Sequence, residues 1–258
     1  MSRSRRHPLS LSALALVAVV LLLLPLIALL VRTPWQRMPA LLGSDAVQQA
    51  LWLSVRCALA ATVLSVVLGI PLAWVLARSH LPGRRLLRGL VAVPLVLPPV
   101  VGGVALLLAF GRQGVLGPLL VEAGAVPAFT TWGVILAETF VALPFLVLTV
   151  EGALSGLARD HEEVAATLGA RPLRVFLTVT LPAIWPSVLS GAVLAGARAL
   201  GEFGATTTFA GSLPGETQTV PLAVYALLQD DPSAAYALSA VLLTVSVAMV
   251  LALRSVRR

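Results

Sequence analysis

Six long apolar runs, joined by short polar stretches, leave this chain few ways to fold. They cover about residues 9–31, 47–77, 86–110, 132–154, 183–204 and 234–253. A helix of 18 or more apolar residues is long enough to cross the hydrocarbon core of a bilayer. The chain is 59% hydrophobic with a mean hydropathy of +0.98, above the roughly half-apolar make-up of soluble domains. The first run follows Arg3, Arg5 and Arg6, a pattern that also opens a signal peptide. Yet it exceeds the usual h-region of about 7–15 residues, and no A-x-A-like cleavage site follows. It reads as a retained helix. The expectation is an all-α membrane protein, one domain over residues 1–258, with six spans.

Orientation follows from arginine. The chain has no lysine, so all 18 basic residues are Arg. With the N-terminus inside, thirteen arginines fall on the inner side, and only Arg32, Arg37 and Arg112 on the outer. Positive residues gather on the cytoplasmic side, so both termini are expected there, in a bacterial plasma (inner) membrane. The same bias explains the high isoelectric point: these arginines set topology beside anionic lipid, and no nucleic-acid partner is implied.

Several chemistries are excluded. Without lysine there is no G-x-x-x-x-G-K-[ST] loop, so the chain is not its own ATPase. His161-Glu162 begins like H-E-x-x-H, but position 165 is Ala, and no zinc site is expected. No G-x-S-x-G elbow occurs. The histidines at 7, 80 and 161 all fall outside the runs, against a catalytic dyad at membrane depth. The lone Cys57 has no partner for a disulfide within the chain. No catalytic residue and no cofactor of its own are expected.

Proline and charge mark places inside the runs. Pro71, Pro94, Pro98, Pro99 and Pro144 each free a carbonyl and bend a helix. Pro98-Pro99, followed by Gly102-Gly103, is the strongest break; a packing kink is favoured over a pore-lining hinge. Charges within membrane spans are costly and point to function or pairing. Arg56, Glu138, Arg198 and Glu202 sit at similar depth, within roughly 15 Å of the outer surface at 1.5 Å per residue. Arg198 and Glu202 are four apart and share a face. The favoured reading is an ion-pair network fastening three helices. The alternative is that Arg56 or Arg198 helps an anion pass.

One inner loop, 155–182, breaks the apolar pattern. From Asp160 it reads DHEEVAATLG. Asp160 can cap a helix, and Glu162 and Glu163 suit the positive end of its dipole. Val164, Ala165 and Leu168 are expected on one face. Gly169 should end the helix with a positive φ, and Pro172 prevents its return. An interfacial helix lying in headgroups is the plain alternative, but it leaves two acids beside an anionic leaflet.

This loop resembles the "EAA" loop of permease subunits of ABC importers. Glu163, Ala165, Gly169, Leu181 and Pro182 match that pattern, while Val164 and Val179 depart from it conservatively. In that family the loop docks a short helix into a groove on the ATPase subunit. A second stretch, ARALGEFGATTTF over 197–209 and then LPGETQTVP over 213–221, is similar to the molybdate permeases within that family. The resemblance implies a type I importer permease for an oxyanion, molybdate or its analogue tungstate. It also implies a second copy of the chain, two ATPase subunits carrying ATP and magnesium, and an external binding protein. A sulfate or thiosulfate permease is the near alternative, and an ATP-independent secondary transporter the distant one. Gly201 and Gly204 with Thr206, Thr207 and Thr208 suggest a helix ending among hydroxyl donors.

Overall fold

The computed structural model describes residues 9–158 and 160–256, and among these there is helix but no strand. The helices are α1 (Leu9–Arg32), α2 (Met38–Leu42), α3 (Asp45–Arg78), α4 (Arg84–Val96), α5 (Pro99–Phe110), α6 (Gly117–Glu122) and α7 (Thr131–Gly156). There follow α8 (Asp160–Thr167), α9 (Pro172–Val175), α10 (Leu181–Leu200), α11 (Gly204–Phe209), α12 (Val220–Asp230) and α13 (Pro232–Val256). A π-helical turn, Phe176–Thr180, joins α9 to α10. Among the described residues, α1, α3, α7, the stretch from α9 through α10, and α13 are each long and apolar enough to cross a bilayer.

The core is built on α7, which lies between α3 and α10. In a bilayer, lipid tails are as apolar as leucine, so helices associate where small residues let them come close. Along α3, Cys57, Ala61, Ser65, Gly69 and Ala73 recur every fourth residue, and all are buried. A Cβ added at Gly69 would lie 2.5 Å from a Leu146 methyl group of α7. On the other flank, Gly191 of α10 faces the backbone of Leu146. Leu146, Val147, Val150 and Leu154 fill the space between, joined by Ile184 and Val188. Thr130 starts α7, its side chain accepting the Gly133 amide. By contrast, α1 is exposed along almost its whole length and lies beside α13.

The run expected as one span over 86–110 is two helices. Helix α4 ends at Val96 and α5 starts at Pro99, and their axes differ by 118°. Leu97 and Pro98 between them are extended, with ψ near 131° at both. A residue before proline avoids the α region, and two successive prolines lack two amide donors. A kink was expected here, but the chain turns a corner. Helix α5 then packs against α11: a Cβ on Gly103 would sit 2.5 Å from Thr208 Cβ, and one on Gly204 2.5 Å from Pro99 Cβ.

Two further segments differ from the sequence reading. The stretch 205–233, which lies between the fifth and sixth apolar runs, carries α12 and most of α11, both with buried residues. The loop 155–182 is already helical again from Pro172. Several hydroxyls inside the helices close locally: those of Thr62, Thr139, Thr149 and Thr244 each donate to the carbonyl four residues earlier.

Candidate functional site

The loop 155–182 forms α8, with Asp160, Glu162 and Glu163 in its first turn. Its end is a Schellman motif. The Gly169 amide donates to the Ala166 carbonyl at 2.9 Å, and the Ala170 amide to that of Ala165 at 3.2 Å. Gly169 has φ +84°, and a Cβ there would meet nothing within 4 Å. The glycine is therefore required by the backbone conformation and not by crowding.

Glu162 ties α8 to the membrane body. Its Oε1 accepts from Arg78 Nη2 at 3.1 Å and from Thr180 Oγ1 at 2.9 Å. Arg78 Nη2 also donates to the Leu157 carbonyl oxygen at 3.1 Å. Sequence reasoning missed Arg78 and Thr180, since Arg78 lies 84 residues before Glu162 and no periodicity links them. The apolar face divides. Val164 and Leu168 stand out, 58% and 82% exposed, while Ala165, expected beside them, is half-buried. The reason is angular: each residue turns a helix by about 100°, so the residue after Val164 rotates away from Leu168's row. Glu163 is exposed.

The four intramembrane charges do not form one network. Arg198 Nη1 lies 2.5 Å from Glu202 Oε2, and Glu202 is 1% exposed. Glu202 Oε1 accepts the Ala205 amide at 2.8 Å, capping α11. Glu138 on α7 is also 1% exposed, and its Oε2 has no hydrogen-bond partner. Arg56 is exposed, its guanidinium 6.0 Å from the centre of the Trp52 ring. Among the described residues no ion pair reaches Arg56 or Glu138. The expected three-helix network contracts to one local pair, because Glu202 sits one turn beyond Arg198 and meets it first.

The motif stretch 197–221 is held by a set of local and cross-helix hydrogen bonds. Its threonines do not end a helix; Thr206, Thr207 and Thr208 belong to the new helix α11. Thr206 is buried with no hydrogen-bond partner for its hydroxyl. The Thr207 amide bonds the Phe203 carbonyl, and Thr208 Oγ1 donates to that of Gly204. In the second half, Gly215 has φ +80°, and Thr217 Oγ1 accepts the Leu213 amide. Thr131 Oγ1 donates to the Glu216 carbonyl, and Ser54 Oγ accepts the Val220 amide. These bonds moor the stretch to α7 and α3.

Comparison with known proteins decides the family. The family described as "Binding-protein-dependent transport system inner membrane component" matches residues 65–258. The chain belongs to that family. It is similar to the molybdenum transport system permease protein ModB of Mycobacterium tuberculosis, 54% identical over 92% of this chain and 90% of that one. ModB of Escherichia coli K12 is 41% identical over 80% and 91%. The sulfate transport system permease protein CysW of Escherichia coli K12 is 38% identical over 93% and 84%. Among solved structures, an ABC transporter that imports the acidic polysaccharide alginate superposes with a TM-score of 0.68. That match covers 96% of this chain and 95% of that one at 20% identity, a likeness of fold. The permease is thus a multi-pass, all-helical membrane protein with the fold of an ABC importer permease, as the sequence reading expected.

Proposed function

We propose that this permease is the membrane subunit of an ATP-driven importer of molybdate, or of its analogue tungstate. The observation that carries the reading is the similarity to molybdenum permeases over nine-tenths of the chain, which exceeds that to the sulfate permease. Two copies line a central path. An external binding protein delivers the anion, and two ATPase subunits dock on the inner side. Both termini and α8 face the cytoplasm. ATP and its magnesium ion are held by the ATPase, and this chain binds no cofactor.

The exposed side of α8 supports the docking role. Val164 and Leu168 are one turn apart and unshielded on a helix whose other side is pinned by Glu162. Glu163 adds an exposed anion beside them. Closure of the ATPase pair carries the two α8 helices together and turns the path from inward-open to outward-open. With Arg198 engaged by Glu202, no strong fixed cation from that pair is left to hold the anion, which suits release over capture. Arg56, Pro98, Pro99, Glu138, Thr206 and Thr207 belong to the path or its supporting helices.

The test is rescue. Expressed with its neighbouring ATPase and binding protein, the permease should restore molybdate uptake to a host lacking its own molybdate permease. It should not restore growth on sulfate to a host lacking its sulfate permease. The reverse pattern would assign the chain to sulfate. Uptake without any ATPase would make it a secondary transporter.

A further inference from the structure

Glu162 lies where three membrane helices reach the inner side. Through Arg78 its carboxylate joins the last residue of α3. Through the second bond of Arg78, to the Leu157 carbonyl, it joins the C-cap of α7. Through Thr180 it joins the π turn that leads into α10. These are the three helices that pack together as the core of the chain. The Arg78 side chain is 8% exposed and that of Glu162 18%, so the pair is shielded from the water that weakens surface pairs. The π turn matters here too, because such turns are rare within helices and recur at functional sites.

Beyond this cluster α8 lies beside α9 and the π turn, and it is joined to its neighbours by two short connections, the second with a glycine at φ +84°. A push on α8 could be lost in them. We propose that Arg78, Glu162 and Thr180 form the transmission joint of the permease, passing displacement of α8 to α3, α7 and α10 together. The proposal rests on the reading that α8 docks on an ATPase. The three are positioning residues: they touch neither the anion nor the nucleotide.

The experiment uses the purified complex of permease and ATPase in liposomes, with molybdate and its binding protein supplied. Molybdate uptake and ATP hydrolysis are measured in parallel. In Arg78→Gln and Glu162→Gln the ATPase should remain bound and hydrolysis persist, while molybdate imported per ATP falls about fivefold or more, the size of a typical coupling free energy. The swap of Arg78→Glu with Glu162→Arg should recover part of that ratio. Thr180→Val removes one hydrogen bond and leaves both charges; it should lower the ratio about two- to tenfold. It also reads the joint if a charge variant fails to reach the membrane. An unchanged ratio in Glu162→Gln and Thr180→Val would overturn the proposal, and so would loss of the ATPase from those complexes. Failure of the docking reading shows separately: if Leu168→Asp still holds the ATPase, α8 is not the docked element and the joint has nothing to transmit.

Discussion

Glu202 holds Arg198 with one carboxylate oxygen, at 2.5 Å, and caps α11 with the other by accepting the Ala205 amide. One buried side chain therefore fixes both the end of α10 and the start of the helix that packs on α5.

Arg198→Ala should leave Glu202 buried without its cation, a loss of about 3–5 kcal/mol when one member of a buried pair is removed. Permease recovered from membranes and its melting temperature should both fall. Adding Glu202→Gln should restore much of the loss, since glutamine keeps the acceptor for Ala205. A single variant that assembles normally but transports poorly would instead place Arg198 on the anion path.

Leu168→Asp should abolish co-purification of the ATPase while membrane levels stay unchanged, because the side chain is 82% exposed. Pull-down with the total membrane fraction as control measures this. Leu168 is a cleaner probe than Ala165, whose half-buried position ties any substitution to the seating of α8 itself.

Gly169→Val should weaken docking through strain alone. Left-handed backbone costs a residue with a Cβ roughly 1–2 kcal/mol, and valine more because it is branched. Gly169→Asn should be tolerated, since asparagine visits this conformation. Uptake of molybdate by the two variants, compared at equal membrane levels, checks the order.

Gly103→Val should disrupt the α5–α11 contact. The first added carbon lies 2.5 Å from Thr208 Cβ and 2.8 Å from the Ala205 carbonyl oxygen. Overpacking of this kind costs about 1–3 kcal/mol. Thermal unfolding in detergent should show it, and Gly89→Val, where an added Cβ meets nothing within 4 Å, serves as the control.

A labelling experiment addresses orientation. In a Cys57→Ser background, Gln113→Cys should react with an impermeant maleimide in spheroplasts, and Leu173→Cys only after permeabilisation. Both positions are exposed, so access and not burial decides the outcome. The opposite pattern would invert the topology.

What could be read from sequence was what rests on local chemistry. Apolar length marks the helices, and Gly169 announces its own φ because a helix followed by Gly and Pro has one common way to end. What could not be read depends on partners far apart in the chain. Nothing near Glu162 points to Arg78, and nothing near Arg56 says that no acid among the described residues pairs with it. Pro98-Pro99 was legible as a break but not as a 118° turn, since proline forbids one conformation without choosing among the rest. Glu202 was legible as Arg198's neighbour at helical spacing, but its second bond to Ala205 depends on α11, which hydropathy alone concealed.

Helix α1 brings almost no surface into the packed core, and the family match begins at residue 65, well past it. Within one copy, its sequence is then answerable to few neighbouring side chains. Such a helix works like an outrigger, one that can be exchanged while the packed body keeps its shape. A chimera with an unrelated apolar helix in place of Leu9–Arg32 should melt at the temperature of the parent chain. A large drop would mean that α1 is seated on something more than lipid.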